Sequence, residues 1–329
     1  MGVRQYLLGI DVGTTGTKAL LFDTEGTLHG RSYCGYQTHT PQVGRSEQNA
    51  EDWWNAVCTT VRALCADPEV GENVIAMSLS TQGGTVVPVD ENASALRPAI
   101  VWNDLRCGEE AAAFVREQKD AARMYEKTGW ALSDGLPAMQ LRWLGAHEPE
   151  IFRRAARFAT VPDYLSLKLT GIAATDPSNA GIDQLYDIRR GCCDAELLRF
   201  AGVTEAQLPK LVHSGGIIGR LTPEAAAALG LSERCVLAAG AHDQYAAALG
   251  VGAYRKGDIL IGSGTCWVIT ALDDHPDFSS GLAQSVAAVP GMWGSLWSLS
   301  SGGICLDWLR NKLGTGDSYE TLNAEVSKR

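Results

Sequence analysis

Asp11 stands beside a turn of glycine and threonine in the stretch LLGIDVGTTGTKALLFDTEG, residues 7–26. Two apolar segments, LLGI and KALLFD, flank the turn and predict a pair of strands. Glycine lets backbone N–H groups approach phosphate oxygens closely, and threonine hydroxyls supply further donors. Asp11, at the end of the first predicted strand, is well placed to hold a phosphate-bound Mg²⁺. The alternative interpretation is a tight hairpin that binds no ligand.

A second glycine–threonine turn follows the same strand–turn–strand pattern in DILIGSGTCWVITALDD, residues 258–274. Gly264 and Thr265 correspond to Gly13 and Thr14. A single turn of this kind would mean little. Two copies favour two related domains that each present a turn to the same ligand, and the alternative is a duplicated pair of hairpins without a ligand.

Spacing excludes two other phosphate-binding motifs. The letters GTTGTK lack the G-x-x-x-x-G-K-[ST] pattern of a P-loop, and Lys18 is followed by Ala19 inside a predicted strand. No G-x-G-x-x-G sequence follows a strand and opens a helix, so the dinucleotide fingerprint is also missing. The predicted phosphate contacts therefore belong to the glycine–threonine hairpins.

Composition narrows the classes of function. The 329 residues suffice for two domains, and a formal net charge of −10 without a basic run argues against a nucleic-acid partner. Apolar stretches are short and interrupted by glycine, so we expect no membrane span and no signal peptide. Nine scattered cysteines without a C-x-x-C pair predict buried free thiols in a reducing cytoplasm rather than disulfides or a zinc site.

The hydrophobic pattern predicts a mixed α/β chain that positions these residues. Apolar residues recur at helical spacing at Trp53, Val57, Val61 and Leu64. Strands and glycine turns follow over NVIAMSLSTQGGTVVPVDENASALRPAIVW. Residues 106–123 predict a helix, and two more helices follow from residue 138, separated near Pro149. The segment TDPSNAGIDQLYDIRRG is polar and typical of turns.

Several segments, taken together and in this order, resemble the FGGY family of carbohydrate kinases in the actin/hexokinase-like ATPase superfamily. They are GIDVGTTGTKALLFD, SEQNAEDWW, STQGGTVVPVD with RPAIVWNDLR, TDPSNAGIDQLYDI, GAHDQYAAALGVG and ILIGSGTCWVI. They cover nearly the whole chain, and the similarity is greatest to xylulokinases and related sugar or polyol kinases. The resemblance implies ATP and Mg²⁺ as cofactors and a small-molecule sugar or polyol as partner, and it allows a homodimer.

By this resemblance, Asp243 in GAHDQ matches the catalytic base, which accepts the proton of the sugar hydroxyl as it attacks the γ-phosphate of ATP. Asp243 also lies between VLAAGA, typical of a strand, and QYAAALG, typical of a helix, where a simple helix N-cap is the alternative. The two roles are compatible, because a helix N-terminus favours an ionised carboxylate. Phosphoryl transfer also depends more on positioning and charge neutralisation than on a strong base.

The same resemblance implies the remaining contacts, with Asp11 as the Mg²⁺-associated aspartate. The nucleotide phosphates are expected to contact Gly13, Thr14, Thr15, Lys18, Gly264 and Thr265. The sugar is expected to contact Gln82, Trp102, Asp104, Arg106 and Gln244. Trp102 can instead be a core aromatic. Gln82, Asp104 and Arg106 can be plain solvated polar residues at strand or turn ends.

Two departures from the family pattern bear on substrate and completeness. Gly83-Gly84 stands where xylulokinases carry Met-His, and Gln244 stands where they usually have Asn, as glycerol kinases have Gln. The acceptor is therefore expected to be a ketose, an aldonate-like sugar or a polyol. Family members are substantially longer, and their glycine-rich adenosine-binding segment has no counterpart here, so we expect an incomplete second domain.

The expected fold class is α/β, with two ribonuclease-H-like (actin-like ATPase) domains around a cleft, the second incomplete. We expect residues 1–245 to form the sugar-binding and phosphate-loop domain and residues 246–329 to begin the nucleotide-binding domain, with the division near 244–252. The predicted function is ATP-dependent phosphorylation of a sugar or polyol hydroxyl. The competing hypotheses are a non-catalytic sugar-binding fragment or inactive truncated kinase, and a chaperone- or actin-like ATPase, which the segments RPAIVWNDLR and TDPSNAGIDQLYDI disfavour.

Overall fold

The computed structural model describes residues 4–117, 121–263, 267–299, 302–313 and 318–328. The strands are β1 (Tyr6–Val12), β2 (Gly16–Asp23), β3 (Leu28–Gly35), β4 (Glu47–Gln48), β5 (Val74–Thr81), β6 (Val86–Val89), β7 (Ala99–Ile100), β8 (Arg157–Thr160), β9 (Ala174–Thr175), β10 (Tyr186–Asp187), β11 (Cys192–Cys193), β12 (Lys210–Leu211), β13 (Ile217–Arg220), β14 (Val236–His242), β15 (Ile259–Ser263), β16 (Trp267–Asp273), β17 (Ala283–Val286) and β18 (Trp293–Leu299). The helices are α1 (Ala50–Leu64), α2 (Pro68–Glu72), α3 (Gly108–Glu117), α4 (Ala121–Thr128), α5 (Pro137–His147), α6 (Pro149–Arg154), α7 (Val161–Thr170), α8 (Pro177–Ile182), α9 (Ala195–Ala201), α10 (Pro223–Leu229), α11 (Asp243–Gly250), α12 (Gly303–Leu313) and α13 (Tyr319–Val326). The predicted α/β organisation is confirmed.

A six-stranded sheet carries the predicted chemistry along one edge. Its order is β13-β14-β5-β1-β2-β3, and the three central strands β14, β5 and β1 run parallel. Parallel strands bring their carboxyl ends to the same edge of a sheet. The pairing sets Asp11 opposite Ser80 and His242 opposite Thr81. The ends of β1, β5 and β14, far apart in sequence, therefore meet.

Helix α1 covers one face of this sheet, as its apolar spacing predicts. Trp53, Val57 and Val61 are fully buried in the core cluster that contains the sheet residues Leu8, Ile10 and Leu79. Asn49 caps the helix by accepting a hydrogen bond from the Glu51 N–H at 3.2 Å. Burial of a continuous apolar stripe stabilises the helix and holds the strand ends in place.

A four-stranded antiparallel sheet, in the order β15-β16-β18-β17, follows the first sheet in the chain. Strands β15 and β16 pair antiparallel, as β1 and β2 do, which agrees with the long-range echo of apolar strands in the sequence. The last described pair is Ser263 with Trp267. Gly264 and Thr265 lie outside the described residues. The division between residues 245 and 246 stays a prediction, and the change of sheet falls between His242 and Ile259.

Two other sequence expectations have mixed outcomes. The break near Pro149 is confirmed, because α5 ends at His147 and α6 begins at Pro149. The segment expected to be polar and rich in turns has turns at residues 183–184 and 188–191, but it also contains α8, whose residues are all buried. Asp176 makes this possible, since its carboxylate accepts hydrogen bonds from the Ser178 and Asn179 N–H groups and so satisfies the helix N-terminus away from water.

The residues expected to be helical over 106–123 form α3 and α4 where they are described. Across the described ranges, no helix is both long and apolar enough to cross a membrane. All eight described cysteines are free thiols, but the expectation that they are buried holds for Cys65, Cys107 and Cys235, while Cys192 and Cys305 are exposed.

Candidate functional site

Asp11 lies at the sheet edge, with one partner on each side. The Ser80 hydroxyl donates a hydrogen bond to Oδ1 at 3.0 Å, and Lys18 Nζ lies 3.8 Å from Oδ2. Burial raises the pKa of Asp11 above its usual value, while the Ser80 hydrogen bond and the Lys18 charge oppose the rise and the Asp243 carboxylate adds to it. Two carboxylates thus face the same edge, although Asp243 is distant in sequence.

The turn after β1 is fixed through its carbonyl groups. Tyr36 Oη donates to the Gly13 carbonyl at 2.5 Å, Gln48 Nε2 to the Thr14 carbonyl at 2.6 Å and Tyr33 Oη to the Thr15 carbonyl at 3.1 Å. Among the described residues, neither the Thr14 N–H nor the Thr15 N–H donates a backbone hydrogen bond. A rigid turn with free N–H groups is suited to binding phosphate oxygens.

The Thr14 side chain joins this turn to the predicted sugar side. Its hydroxyl donates to Gln82 Oε1 at 3.1 Å and accepts from Trp102 Nε1 at 3.0 Å. Gln82 is buried, whereas Trp102 is 43% exposed. Trp102 is therefore not a core aromatic.

Gln48 supports both Thr14 and Gln82, and the sequence reasoning missed it. Besides its bond to the Thr14 carbonyl, it accepts hydrogen bonds from Gln82 Nε2 and Trp53 Nε1, each at 3.0 Å. Its side chain is almost fully buried. The available signal was a polar residue just before an amphipathic helix, in SEQNAEDWW. That signal does not identify the partners of Gln48, because Thr14 and Gln82 lie on other elements.

Asp243 begins α11 directly after β14 ends at His242. The N-cap interpretation is wrong, because His242 occupies the N-cap position and Asp243 is the first helical residue. His242 Nε2 lies 3.2 Å from Asp243 Oδ1 without hydrogen-bond alignment. Among the described groups, none donates a hydrogen bond to this buried oxygen. The carboxylate is free to accept a proton or hydrogen bond from a ligand.

The short helix α8 holds this strand–helix junction in place. Ser178 Oγ accepts the His242 N–H at 2.9 Å, and Thr81 Oγ1 donates to Asn179 Oδ1 at 3.4 Å. These contacts explain why a polar segment is buried beneath the site.

A cavity of about 210 Å³ brings the predicted residues together. Its lining includes Thr14, Gln82, Trp102, Asp243 and Gln244 from the expected set. The lining is completed by Gly83, Trp130, Leu136, Ile182, His242, Val268, Leu296 and Ser298. The cavity therefore lies between the edge of the first sheet and the β16–β18 part of the second.

Asp104 and Arg106 do not line this cavity. Asp104 is fully buried and forms an ion pair with Arg106 at 2.8 Å, and Arg106 also bonds to Glu47 at 2.8 Å. Burial alone would raise the pKa of Asp104, but hydrogen bonds from Arg106 and from the Ser46 N–H lower it below its usual value. Neither residue is a plain solvated side chain. Direct contact with a sugar stays a prediction for both.

Close packing explains the Gly83-Gly84 pair. A Cβ on Gly83 would come within 2.5 Å of Ile182 Cδ1 and 2.8 Å of His242 Cδ2. Gly84 has φ +71°, a conformation that favours glycine, and a Cβ there would approach Trp102 to 3.2 Å. Ile182 and Trp102 thus take the space that side chains at these two positions would need.

The edge residues suit a phosphate-bound magnesium ion. Mg²⁺ prefers oxygen ligands and usually keeps several waters, so one accessible carboxylate can serve. The Asp11 side chain is 41% exposed and shares its edge with the second carboxylate. A cation between the Asp11 and Asp243 carboxylates would relieve their repulsion. The Thr14 and Thr15 amides follow Asp11 closely in the sequence and would hold the phosphates bound to that cation.

Comparison with known proteins gives consistent matches. The N-terminal domain of the FGGY family of carbohydrate kinases matches residues 6–250. The gluconokinase of Bacillus subtilis is 31% identical over 96% of this chain and 61% of its own length. The xylulose kinase of Lactococcus lactis is 32% identical over 98% of this chain and 64% of its own length. This chain thus spans less than two thirds of these curated relatives.

A solved structure shows the same similarity. The crystal structure of xylulose kinase from Rhodospirillum rubrum aligns with a TM-score of 0.91 and 26% sequence identity. The alignment covers 98% of this chain and 66% of that chain. The expected fold is therefore confirmed over nearly all of this sequence.

Proposed function

The chain belongs to the FGGY family of carbohydrate kinases, and from this premise we propose that it forms the acceptor and phosphate sites of an enzyme that transfers the γ-phosphate of ATP to a sugar or polyol hydroxyl. The observation that carries the proposal is the buried Asp243 oxygen, which has no hydrogen-bond donor among the described groups and belongs to a side chain that lines the cavity with Thr14 and Gln82. The Asp243 side chain is 33% exposed, so a substrate hydroxyl in the cavity can approach the carboxylate.

In this proposal Asp243 is the general base. Its carboxylate accepts the hydroxyl proton as the acceptor oxygen attacks phosphorus. Asp243 lies in the first turn of α11, so its carboxylate stands at the N-terminal end of that helix. The acceptor is oriented by Gln82, Trp102 and Gln244, all of which line the same cavity. Positioning of this kind supplies most of the catalysis in phosphoryl transfer.

The phosphate side is assigned to the first turn and to Asp11. The amides of Thr14 and Thr15 donate to phosphate oxygens, with Gly13 allowing the close approach and Lys18 adding positive charge. Asp11 would hold a phosphate-bound Mg²⁺, usually through water, and the ion would supply charge neutralisation at the phosphates. Gly264 and Thr265 are proposed as the second set of phosphate contacts.

Asp104 and Arg106 are proposed to act on the acceptor site mainly through their buried ion pair. The Asp104 carboxylate accepts the Ser46 N–H at 2.6 Å, two residues before Gln48. The pair therefore anchors the segment that carries Gln48, which in turn holds Thr14 and Gln82.

A second candidate function is sugar binding without catalysis. It rests on the acceptor-side residues Gln82, Trp102 and Gln244, which line the cavity whether or not phosphoryl transfer occurs. The acceptor side would then be functional while phosphoryl transfer is absent.

The test uses the 329-residue chain and, in parallel, the product of the whole gene, whatever its length. Each is incubated with ATP and Mg²⁺ and a panel of ketoses, polyols and aldonates, and ADP release is measured. We expect the complete product to phosphorylate at least one acceptor. Acceptor binding without any phosphorylation by a folded complete product would favour the second candidate instead.

A further inference from the structure

The junction between β14 and α11 carries the proposed base, but few of its own side-chain contacts fix it. Asp243 is the first residue of α11, and His242 occupies the N-cap position without a side-chain cap hydrogen bond. Among the described groups, none donates a hydrogen bond to the buried Oδ1 of Asp243. The direction of the Asp243 carboxylate therefore depends on the backbone that carries it.

A backbone donor of this junction bonds to a side chain instead of to the neighbouring strand. His242 pairs with Thr81 in the sheet, but its N–H donates to Ser178 Oγ at 2.9 Å. Ser178 belongs to α8, is fully buried and lies outside the lining of the cavity. This hydrogen bond thus holds the residue directly before Asp243 from a distant element.

The Ser178 hydroxyl is itself oriented. Its single hydrogen is donated to Asp176 Oδ1, so the oxygen lone pairs remain for the His242 N–H. The Ser178 N–H also donates to Asp176 Oδ1 at 2.9 Å, and the Ser178 carbonyl accepts from Ser285 Oγ at 3.3 Å. Because its side chain, amide and carbonyl are all bonded, Ser178 has little freedom to follow a movement of the junction.

We propose that Ser178 is a positioning residue for phosphoryl transfer, whose hydroxyl, directed by Asp176, fixes the His242 backbone and thereby aims the Asp243 carboxylate at the acceptor hydroxyl. This inference rests on the proposed role of Asp243 as general base. Since Ser178 does not line the cavity, it acts on the rate of transfer and not on acceptor affinity. A misplacement of about 1 Å at a reacting group can cost about 10²-fold in rate, so one backbone hydrogen bond is significant here.

The kinetic test compares Ser178→Ala with Ser166→Ala in the product of the whole gene. Ser166 is a matched control, because it is equally buried and its hydroxyl accepts the Ala174 N–H at 2.8 Å, away from the junction. ATP, Mg²⁺ and the acceptor that is phosphorylated fastest are used. Ser178→Ala should lower kcat at least about tenfold with the acceptor KM within about threefold, because only the alignment of the base changes. Ser166→Ala should keep kcat within about twofold of the unmodified protein.

A packing-preserving variant and hydrogen exchange complete the test. Ser178→Cys nearly preserves the buried volume, but sulfur is a weak acceptor, so its kcat should be intermediate. It carries the kinetic test if Ser178→Ala does not fold. In the 329-residue chain, the His242 amide should exchange about fivefold faster in the serine-to-alanine variant at position 178, as for the loss of one hydrogen bond, and at an unchanged rate in Ser166→Ala.

The outcomes separate this role from the proposed function. Normal kcat in the folded Ser178 variant, an equal loss of kcat in Ser166→Ala, or a rise in acceptor KM in place of the loss of kcat would overturn the positioning role and leave the kinase proposal intact. Unchanged exchange of the His242 amide in Ser178→Ala would do the same. No phosphorylation of any acceptor by the unmodified gene product would overturn the proposed function, and the positioning role with it.

Discussion

The indole nitrogen of Trp102 donates a hydrogen bond to the hydroxyl of Thr14 at 3.0 Å, across 88 positions of sequence. This contact joins the turn proposed to bind phosphate to the cavity proposed to bind the acceptor. The same hydroxyl donates to Gln82. Occupancy of the acceptor site and the conformation of the phosphate turn are therefore expected to be coupled through Thr14.

A double-mutant cycle measures that coupling. Trp102→Phe removes the N–H and Thr14→Val removes the hydroxyl, and each should weaken acceptor binding. Because both changes break the same bond, the double variant should lose less than the sum of the single losses, by about 0.5–1.5 kcal/mol. Calorimetry with the best acceptor provides the values. Additive losses would show that the contact has no energetic role.

Asp243→Asn separates catalysis from folding. The amide cannot accept the hydroxyl proton, so turnover of the complete gene product should fall by about 10²–10⁴-fold. Acceptor affinity should stay within a few-fold, and α11 should persist because Asp243 does not cap it. Asp52→Asn, in the first turn of α1, is the matched control and should keep full activity. Near-normal turnover of Asp243→Asn would refute the base assignment.

Gln48→Ala should destabilise the fold around the phosphate turn. It leaves Trp53 Nε1 and Gln82 Nε2 without their acceptor and the Thr14 carbonyl without one of its donors. We expect a loss of about 1–3 kcal/mol in the free energy of unfolding, as for buried polar groups left unsatisfied. Urea denaturation measures this loss, with Gln37→Ala at an exposed position as the control. An equal stability of the two variants would contradict the role given to Gln48.

Asp163 should make folding stability depend on pH. Its carboxyl is buried at the start of α7, and burial raises its pKa from 3.8 to about 7, against opposing hydrogen bonds from Thr160. Between these values the folded state keeps a proton that the unfolded state releases. Its contribution to stability is therefore fully present below pH 3.8 and is lost as pH rises toward about 7, by about 1.4 kcal/mol per pH unit at most.

Denaturant unfolding measures the free energy of unfolding of the unmodified chain and of Asp163→Asn at pH 4.5, 5.5, 6.5 and 7.5, in steps of about one pH unit across the titration of Asp163. The difference between the two proteins should change steadily over this range, because the amide does not titrate. Asp67→Asn is the control, because it makes the same carboxylate-to-amide change at the exposed N-cap of α2. A pH-independent difference for Asp163→Asn would mean that this carboxyl titrates normally.

The 329-residue chain alone should bind ATP weakly and discriminate little between ATP and GTP. The nucleotide contacts proposed above, the turn after β1 and Asp11, recognise phosphates and not the base. Phosphate contacts from the turn are common to all nucleoside triphosphates. Calorimetry with both nucleotides decides the matter: tight binding that is selective for ATP would place the adenosine site within these residues.

The same chain should also associate at high concentration. Ile259 and Ile261 on β15 are each about 60% exposed, and Trp308 on α12 is similarly exposed. Exposed apolar surface of this kind favours self-association. Light scattering over a concentration series should show a rising mean mass, and a constant monomer mass would contradict this expectation.

The local features were predictable from the sequence because their causes are local. Alternating apolar residues around GTTG specify a hairpin, and the recurrence at Trp53, Val57 and Val61 specifies the buried face of α1. Resemblance to a family pointed to Asp243, Gln82 and Trp102, which the fold gathers at one cavity. These residues occur in segments whose order and spacing are visible in one dimension.

Tertiary structure alone decided which polar residues are buried and what they contact. The segment around Ser178 looks like a surface turn, yet it is buried because His242 and Thr81, on distant strands, supply its hydrogen bonds. The role of Gln48 could not be predicted from its place before an amphipathic helix, since its hydrogen-bond partners lie on other elements. Asp104 pairs with Arg106, and Arg106 also pairs with Glu47, an arrangement that no spacing in the sequence indicates. Hydrogen bonds and ion pairs act over a few ångströms, so their partners are fixed only when the sheet brings separate strand ends to one edge.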